Sequence, residues 1–190
     1  MIIFNHRKAV QALNYFALKN GGEINVKKAI KLIWLSDRLH IRTYCRPIFN
    51  DTYYAMQLGP VPSAIKDIAM ASESFLSPEE NNYRRLYIEY VPRYKCRSIK
   101  NPDLLVFSDS EVEVFEKVIA DFGDLDQFQL SKLSHNYPEW YKHKEVLDNE
   151  ASRVPMSYQH FFEDSLEQAD IFNDDHEVLN ICKDIYCELS

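Results

Sequence analysis

Apolar residues crowd the stretch 26–41. Placed at about 100° per residue, Val26, Ala29, Ile30, Ile33, Trp34 and Ile41 cover one broad helical face. Leu32, Leu35 and Leu39 make a second apolar strip, and Lys27, Lys31 and Arg38 share a narrow polar one. A helix apolar nearly all round belongs in a core. Asp37 falls at the centre of the first face, with His40 near its edge. A buried carboxylate must be paired or hydrogen-bonded, because burying one alone is very costly. Its candidate partners nearby are Arg46 and the hydroxyls of Tyr53 and Tyr54.

The same patterning predicts the flanking elements. A first helix runs over about 6–19 on Ala9, Val10, Leu13, Phe16 and Ala17, and Asn20-Gly21-Gly22 ends it. Asn25 caps the central helix, which leads into a turn through Cys45-Arg46-Pro47. Period-two alternation over about 52–58 predicts a strand. In Gly59-Pro60-Val61-Pro62 two prolines end that strand and Pro62 opens a helix over about 63–71, a stiff corner that presents Val61 outward. Residues 72–83 read as a surface loop, and 84–91 and 93–99 as strands that join 52–58 in one small antiparallel sheet. Ser108 and Glu111 form a capping box for a helix on Val112, Phe115, Val118, Ile119 and Phe122, closed by Gly123. A short helix over about 127–135 stops at Asn136-Tyr137-Pro138, and Trp140 and Tyr141 sit in a single turn. Residues 145–157 read as a connector, followed by helical stretches over about 158–168 and 176–188. The expected fold is α+β, mainly α, with a helical domain over 1–150 and an acidic helical extension over 151–190.

Composition narrows the class. With 190 residues, 46% hydrophobic and only four glycines, the chain suits one folded, helix-rich domain. No apolar run approaches a membrane span, and the start MIIFNHRKAV is too short an apolar run for a signal peptide. Four scattered cysteines, Cys45, Cys96, Cys182 and Cys187, read as free thiols in a reducing cytoplasm. The net charge of -7 is unevenly spread. Residues 1–100 hold 16 Lys/Arg against 8 Asp/Glu, residues 101–159 hold 5 against 12, and residues 160–190 hold 1 against 9. Such a distribution reads as a mixed solvated surface or, alternatively, as a polarised molecule whose acidic end steers a basic protein partner, and it opposes strong nucleic-acid binding.

Catalytic and cofactor patterns are missing. No glycine-rich phosphate loop, Cys-x-x-Cys or His-Glu-x-x-His occurs. Cys45 with His40 lacks a fixed general base, and His135 near Trp140 reads as a helix-closing histidine. Asp37 is a carboxylate that burial could turn into a base, but a structural pair is the simpler reading. No catalytic residue, cofactor or metal ligand is assigned.

The block KLIWLSDRLHIRTYCRPIFNDTYYAMQLGPVPSAIKDI resembles the central motif of the Panacea antitoxin domain, the SocA-like family found in phage- and mobile-element-associated proteins. The resemblance falls on Lys31, Leu32, Trp34, Asp37, His40, Arg46, Pro47, Asp51, Tyr53, Gly59, Pro60, Val61 and Pro62. Cys45 replaces the usual glycine before Arg-Pro, and Trp34 stands where tyrosine is common. Downstream, Leu130, Ser131, His135 and Trp140 resemble the family's Leu-Ser…Thr-His…Pro-Trp signature, with Ser134 in place of threonine. The similarity covers about 8–142, and nothing after about Asn149 takes part. It implies a non-enzymatic antitoxin that neutralises a protein toxin, encoded by an adjacent gene, through direct binding in the cytoplasm. Asp37, His40, Arg46, Pro47, Tyr53, Gly59, Pro60, Pro62, His135 and Trp140 would then build the scaffold. Tyr54, Met56 and Val61, with Glu163, Asp164, Glu167 and Asp170 of the acidic extension, are the candidate toxin contacts. Two alternatives stand beside it: a DNA-binding regulator with a winged-helix-like N-terminal part, and an enzyme using Asp37, His40 and His135. Oligomeric state is left open.

Overall fold

The computed structural model describes residues 4–149, 151–167 and 170–189. Asn5 accepts from the N–H groups of Arg7 and Lys8 to cap α1 (His6–Lys19). Gly21 and Gly22, at φ +86° and +96°, turn the chain into β1 (Glu23–Asn25). Asn25 caps α2 (Val26–Tyr44), which runs a turn past the expected end. Every residue of α2 from Ala29 to Arg42 is buried, including Lys31, Arg38 and Arg42, two of them from the strip that reads as polar.

After Phe49 the structure departs from the sequence reading. Gly59-Pro60-Val61-Pro62 is a strand, not a corner: β2 (Tyr53–Met56) and β3 (Gly59–Pro62) form a hairpin around Gln57-Leu58, with Tyr54 opposite Val61 and Met56 opposite Gly59. β3 is an outer strand, where a proline facing away from the ladder loses no hydrogen bond. Val61 is buried rather than presented outward. Pro62 lies just before α3 (Ser63–Ala69), whose first N–H groups are satisfied from afar: Asp51 accepts from Ala64 and Ile65. The expected loop at 72–83 instead contains the start of α4 (Pro78–Arg85), opened by a Ser77/Glu80 capping box. β4 (Ile88–Val91) and β5 (Lys95–Ser98) pair with β1 in the order β1-β5-β4. The strands therefore make two sheets rather than one.

α5 (Asp109–Phe122) starts at the expected Ser108/Glu111 box, and buries Val114 where the reading put Val112. α6 (Gln127–Ser134) and α7 (Pro138–Tyr141) follow. The expected connector holds α8 (Lys144–Asn149) and β6 (Arg153–Pro155), which pairs with β2 to give the second sheet, β3-β2-β6. Tyr158–Phe162 is a 3₁₀ turn, and Gln168 of the helix expected there lies outside the described residues. α9 (His176–Leu189) closes the chain as expected. The architecture is α+β and mainly α.

Phe161, Phe162, Phe172, Leu179 and Cys182 join the buried cluster around α2. The expectation of free thiols is corrected here: Cys45 and Cys182 form a disulfide across 137 residues, while Cys96 is a buried thiol and Cys187 an exposed one. The pairing follows from α9 docking beside the end of α2, which no cysteine spacing reveals. Cys182→Ser should lower the unfolding free energy in urea by about 2–4 kcal/mol under oxidising conditions. It should also abolish the destabilisation by dithiothreitol expected of the unaltered chain.

Candidate functional site

Asp37 has no exposed surface. Its Oδ1 accepts from the N–H groups of Ile48 (2.6 Å) and Phe49 (3.2 Å), and its Oδ2 from the hydroxyls of Tyr53 (3.0 Å) and Tyr158 (3.3 Å). Of the expected partners only Tyr53 is present. Tyr54 lies instead under the Arg153 guanidinium, and Arg46 donates to Glu111. Burial pushes the Asp37 carboxyl up to about 7, the four donors opposing it.

His40 Nδ1–H donates to the Arg46 carbonyl (2.7 Å), leaving Nε2 to accept from the Ser110 hydroxyl (3.2 Å). Burial holds this imidazole down at about 4, so it is neutral. The buried Glu111 carboxylate receives both Arg46 and Lys8, and Pro47, next in the chain, is buried.

The other cations of α2 meet acids from the C-terminal half. Arg38 pairs with Glu139 at 2.6 Å, both fully buried, and Trp34 Nε1 donates to the same carboxylate. Burial pulls both towards neutrality, Arg38 down and Glu139 up, and their attraction opposes it. Arg42 donates to Asp164 and Asp174 and to the carbonyls of Phe161, Glu163 and Phe172. Arg38 donates to the Glu163 carbonyl as well. Two of the candidate toxin contacts, Glu163 and Asp164, are thus tied to the core. The Glu163 carboxylate pairs with Lys142, and Glu167 accepts from Asn136. Of Asp170 only the backbone is described.

The remaining motif residues converge on the hairpin. Lys31 Nζ donates to the Pro60 carbonyl, Ser131 Oγ to the Leu58 carbonyl and Trp140 Nε1 to the Met56 carbonyl, each at 2.7 Å. His135 stacks on Trp140, ring centroids 3.6 Å apart. Gly59 sits at φ +98°, and a Cβ there would lie 2.1 Å from Ser134 Oγ and 2.7 Å from Lys31 Nζ. Only glycine fits. Beside the hairpin lies an apolar groove of about 310 Å³, lined by Ile30, Met56, Leu58, Val61, Tyr94 and Phe128, with Lys31 in its wall. Leu58 and Phe128 are 50% and 67% exposed. Of the proposed contacts on this side, Met56 and Val61 line the groove, while Tyr54 lines a separate depression with Thr52 and Phe75.

A family model described as antitoxin SocA-like, Panacea domain, matches residues 30–141. The chain belongs to this family. Comparison with curated proteins and with solved structures gives no match. The Panacea match starts inside α2 and ends with α7, so it includes Asp37, the hairpin and the groove walls from Ile30, Tyr94 and Phe128. It leaves out Tyr158, Asp164, Asp174 and Cys182, through which the later segment completes the Panacea core.

Asp37, His40 and His135 are each held by a different set of partners: tyrosines and backbone amides, Ser110 and a carbonyl, and Trp140. Among the described residues no three His, Cys, Asp or Glu side chains are placed to hold a metal ion, and no helix is long and apolar enough to cross a membrane.

Two outcomes test this site. An acid whose pKa is raised on folding binds more protons folded than unfolded, so its contribution to stability falls as pH rises from its ordinary value of 3.8 to about 7. Histidines such as His40, lowered on folding, give the opposite slope below about 6.5 and cancel in a difference. The stability of the unaltered chain minus that of Asp37→Asn should therefore drop by at most about 4 kcal/mol between pH 4 and 8 in urea titrations. Gly59→Ala should cost about 1–3 kcal/mol in the same measurement.

Proposed function

We propose that the chain is the antitoxin of a toxin–antitoxin pair, or of a mobile-element relative of one. On this reading it neutralises a protein toxin by direct, non-catalytic binding in the cytoplasm. The observation that carries the reading is the family match over residues 30–141, an antitoxin family. The geometry supports it in a second way. Asp37, the residue with most catalytic potential in the sequence, is closed off from solvent, and the motif residues hold a hairpin and an apolar groove at the surface. Residues 1–150 form the antitoxin domain in this reading. The extension over 151–190 completes that domain through Tyr158, Arg42's acidic partners and Cys182.

The toxin is the product of an adjacent gene. Co-expression should restore growth that the neighbouring product alone arrests, and the two chains should co-purify at a fixed ratio. Growth rescue without a complex would leave an indirect route and overturn direct binding.

A further inference from the structure

The Lys31 side chain is only 3% exposed, yet among the described residues its amine makes one hydrogen bond, to the Pro60 carbonyl. Among the described residues no carboxylate lies within ion-pair distance of it. The two arginines further along α2 differ from it: Arg38 and Arg42 each have an acid. A buried ammonium has three protons to place and is costly without a counter-charge. Burial, with Lys27 beside it, holds Lys31 well below the usual lysine range.

Lys31 stands in the wall of the groove, whose lining is mainly apolar, with Lys27, Lys66 and the uncharged polar side chains of Gln57, Gln127, Ser131 and Ser152 also along it. Asp126, at the start of α6, is engaged in capping the N–H groups of Phe128 and Gln129. The volume of about 310 Å³ lies at the small end for ligand pockets and suits inserted side chains better than a large cofactor. Exposed Leu58 and Phe128 offer apolar contact, as the buried centre of a protein interface requires.

We propose that the groove is where the toxin docks, receiving a large apolar side chain between Leu58 and Phe128 and an adjacent Asp or Glu carboxylate on Lys31. The proposal rests on the toxin-binding reading above and adds its location and chemistry. The incoming carboxylate supplies a counter-charge that no described residue gives Lys31, and Lys27 and Lys66 favour its approach. An acidic segment with an apolar anchor is therefore the occupant, and a basic segment is rejected.

The test uses the full chain and a variant of the neighbouring-gene product that no longer arrests growth, with affinity measured by titration calorimetry. Lys31→Met removes the cation and keeps most of the stem, so its thermal midpoint should match or exceed that of the unaltered chain. Its affinity for the toxin should fall about ten-fold or more. Leu58→Asp and Phe128→Asp, at side chains already half or more exposed, should weaken binding as much, and they carry the test if Lys31→Met does not fold. Ile181→Asp, on the exposed side of α9, should leave affinity unchanged. If the three groove variants bind within two-fold of the unaltered chain, the groove is not the site, although toxin binding itself stands. If Ile181→Asp alone weakens binding, the interface lies on α9 and the proposal falls. If the unaltered chain does not bind the toxin at all, both readings fail together.

Discussion

A carboxylate with no exposed surface, in the middle of a helix with no exposed face, has to be met from several directions at once. Asp37 is met by two amides of the segment after Pro47, by Tyr53 from the hairpin and by Tyr158 from the C-terminal segment. Parts of the chain separated by up to 121 residues are therefore joined at one acceptor. Losing any donor leaves a buried polar group short of a partner, which costs about 1–3 kcal/mol. The position of the hairpin, and with it the groove, depends on that shared acceptor.

The uneven charge of the sequence has a related origin. The basic first half and the acidic second half meet inside the molecule: Lys8 and Arg46 on Glu111, Arg38 on Glu139, Arg42 on Asp164 and Asp174. Part of the polarity that reads as a surface for steering a partner is thus ion pairing between distant segments. Lys31 stands apart in this scheme because no described acid pairs with it.

The sequence revealed the helices that have a clean apolar stripe or a cap, such as α1, α2, α5 and α9, and it placed Asp37 in the core. Tyr53 was visible as a partner because it lies close along the chain. Tyr158, Glu139 and the amides of Ile48 and Phe49 were not, since only tertiary docking brings them there. The helix at Pro78 was readable in principle: Ser77 and Glu80 have capping-box spacing, but the polar composition of 72–83 hid it. The prolines of β3 argued against a strand, because the outer position that tolerates them is a property of the sheet and not of the segment. Cys45 shows the same limit. Its left-handed backbone, φ +60°, accounts for the glycine of the family pattern, whereas its bond to Cys182 required knowing where α9 lies.

The two prolines of β3 also bear on how the molecule behaves in a crowded solution. An outer strand with free N–H and C=O groups is a template on which another chain can extend the sheet. Here Pro60 and Pro62 have no N–H to offer, and the Pro60 carbonyl is already capped by Lys31. The border of the β3-β2-β6 sheet is closed to self-templating at the very place where apolar side chains come to the surface. An apolar patch can therefore lie beside a β3 border that offers no template for a further strand.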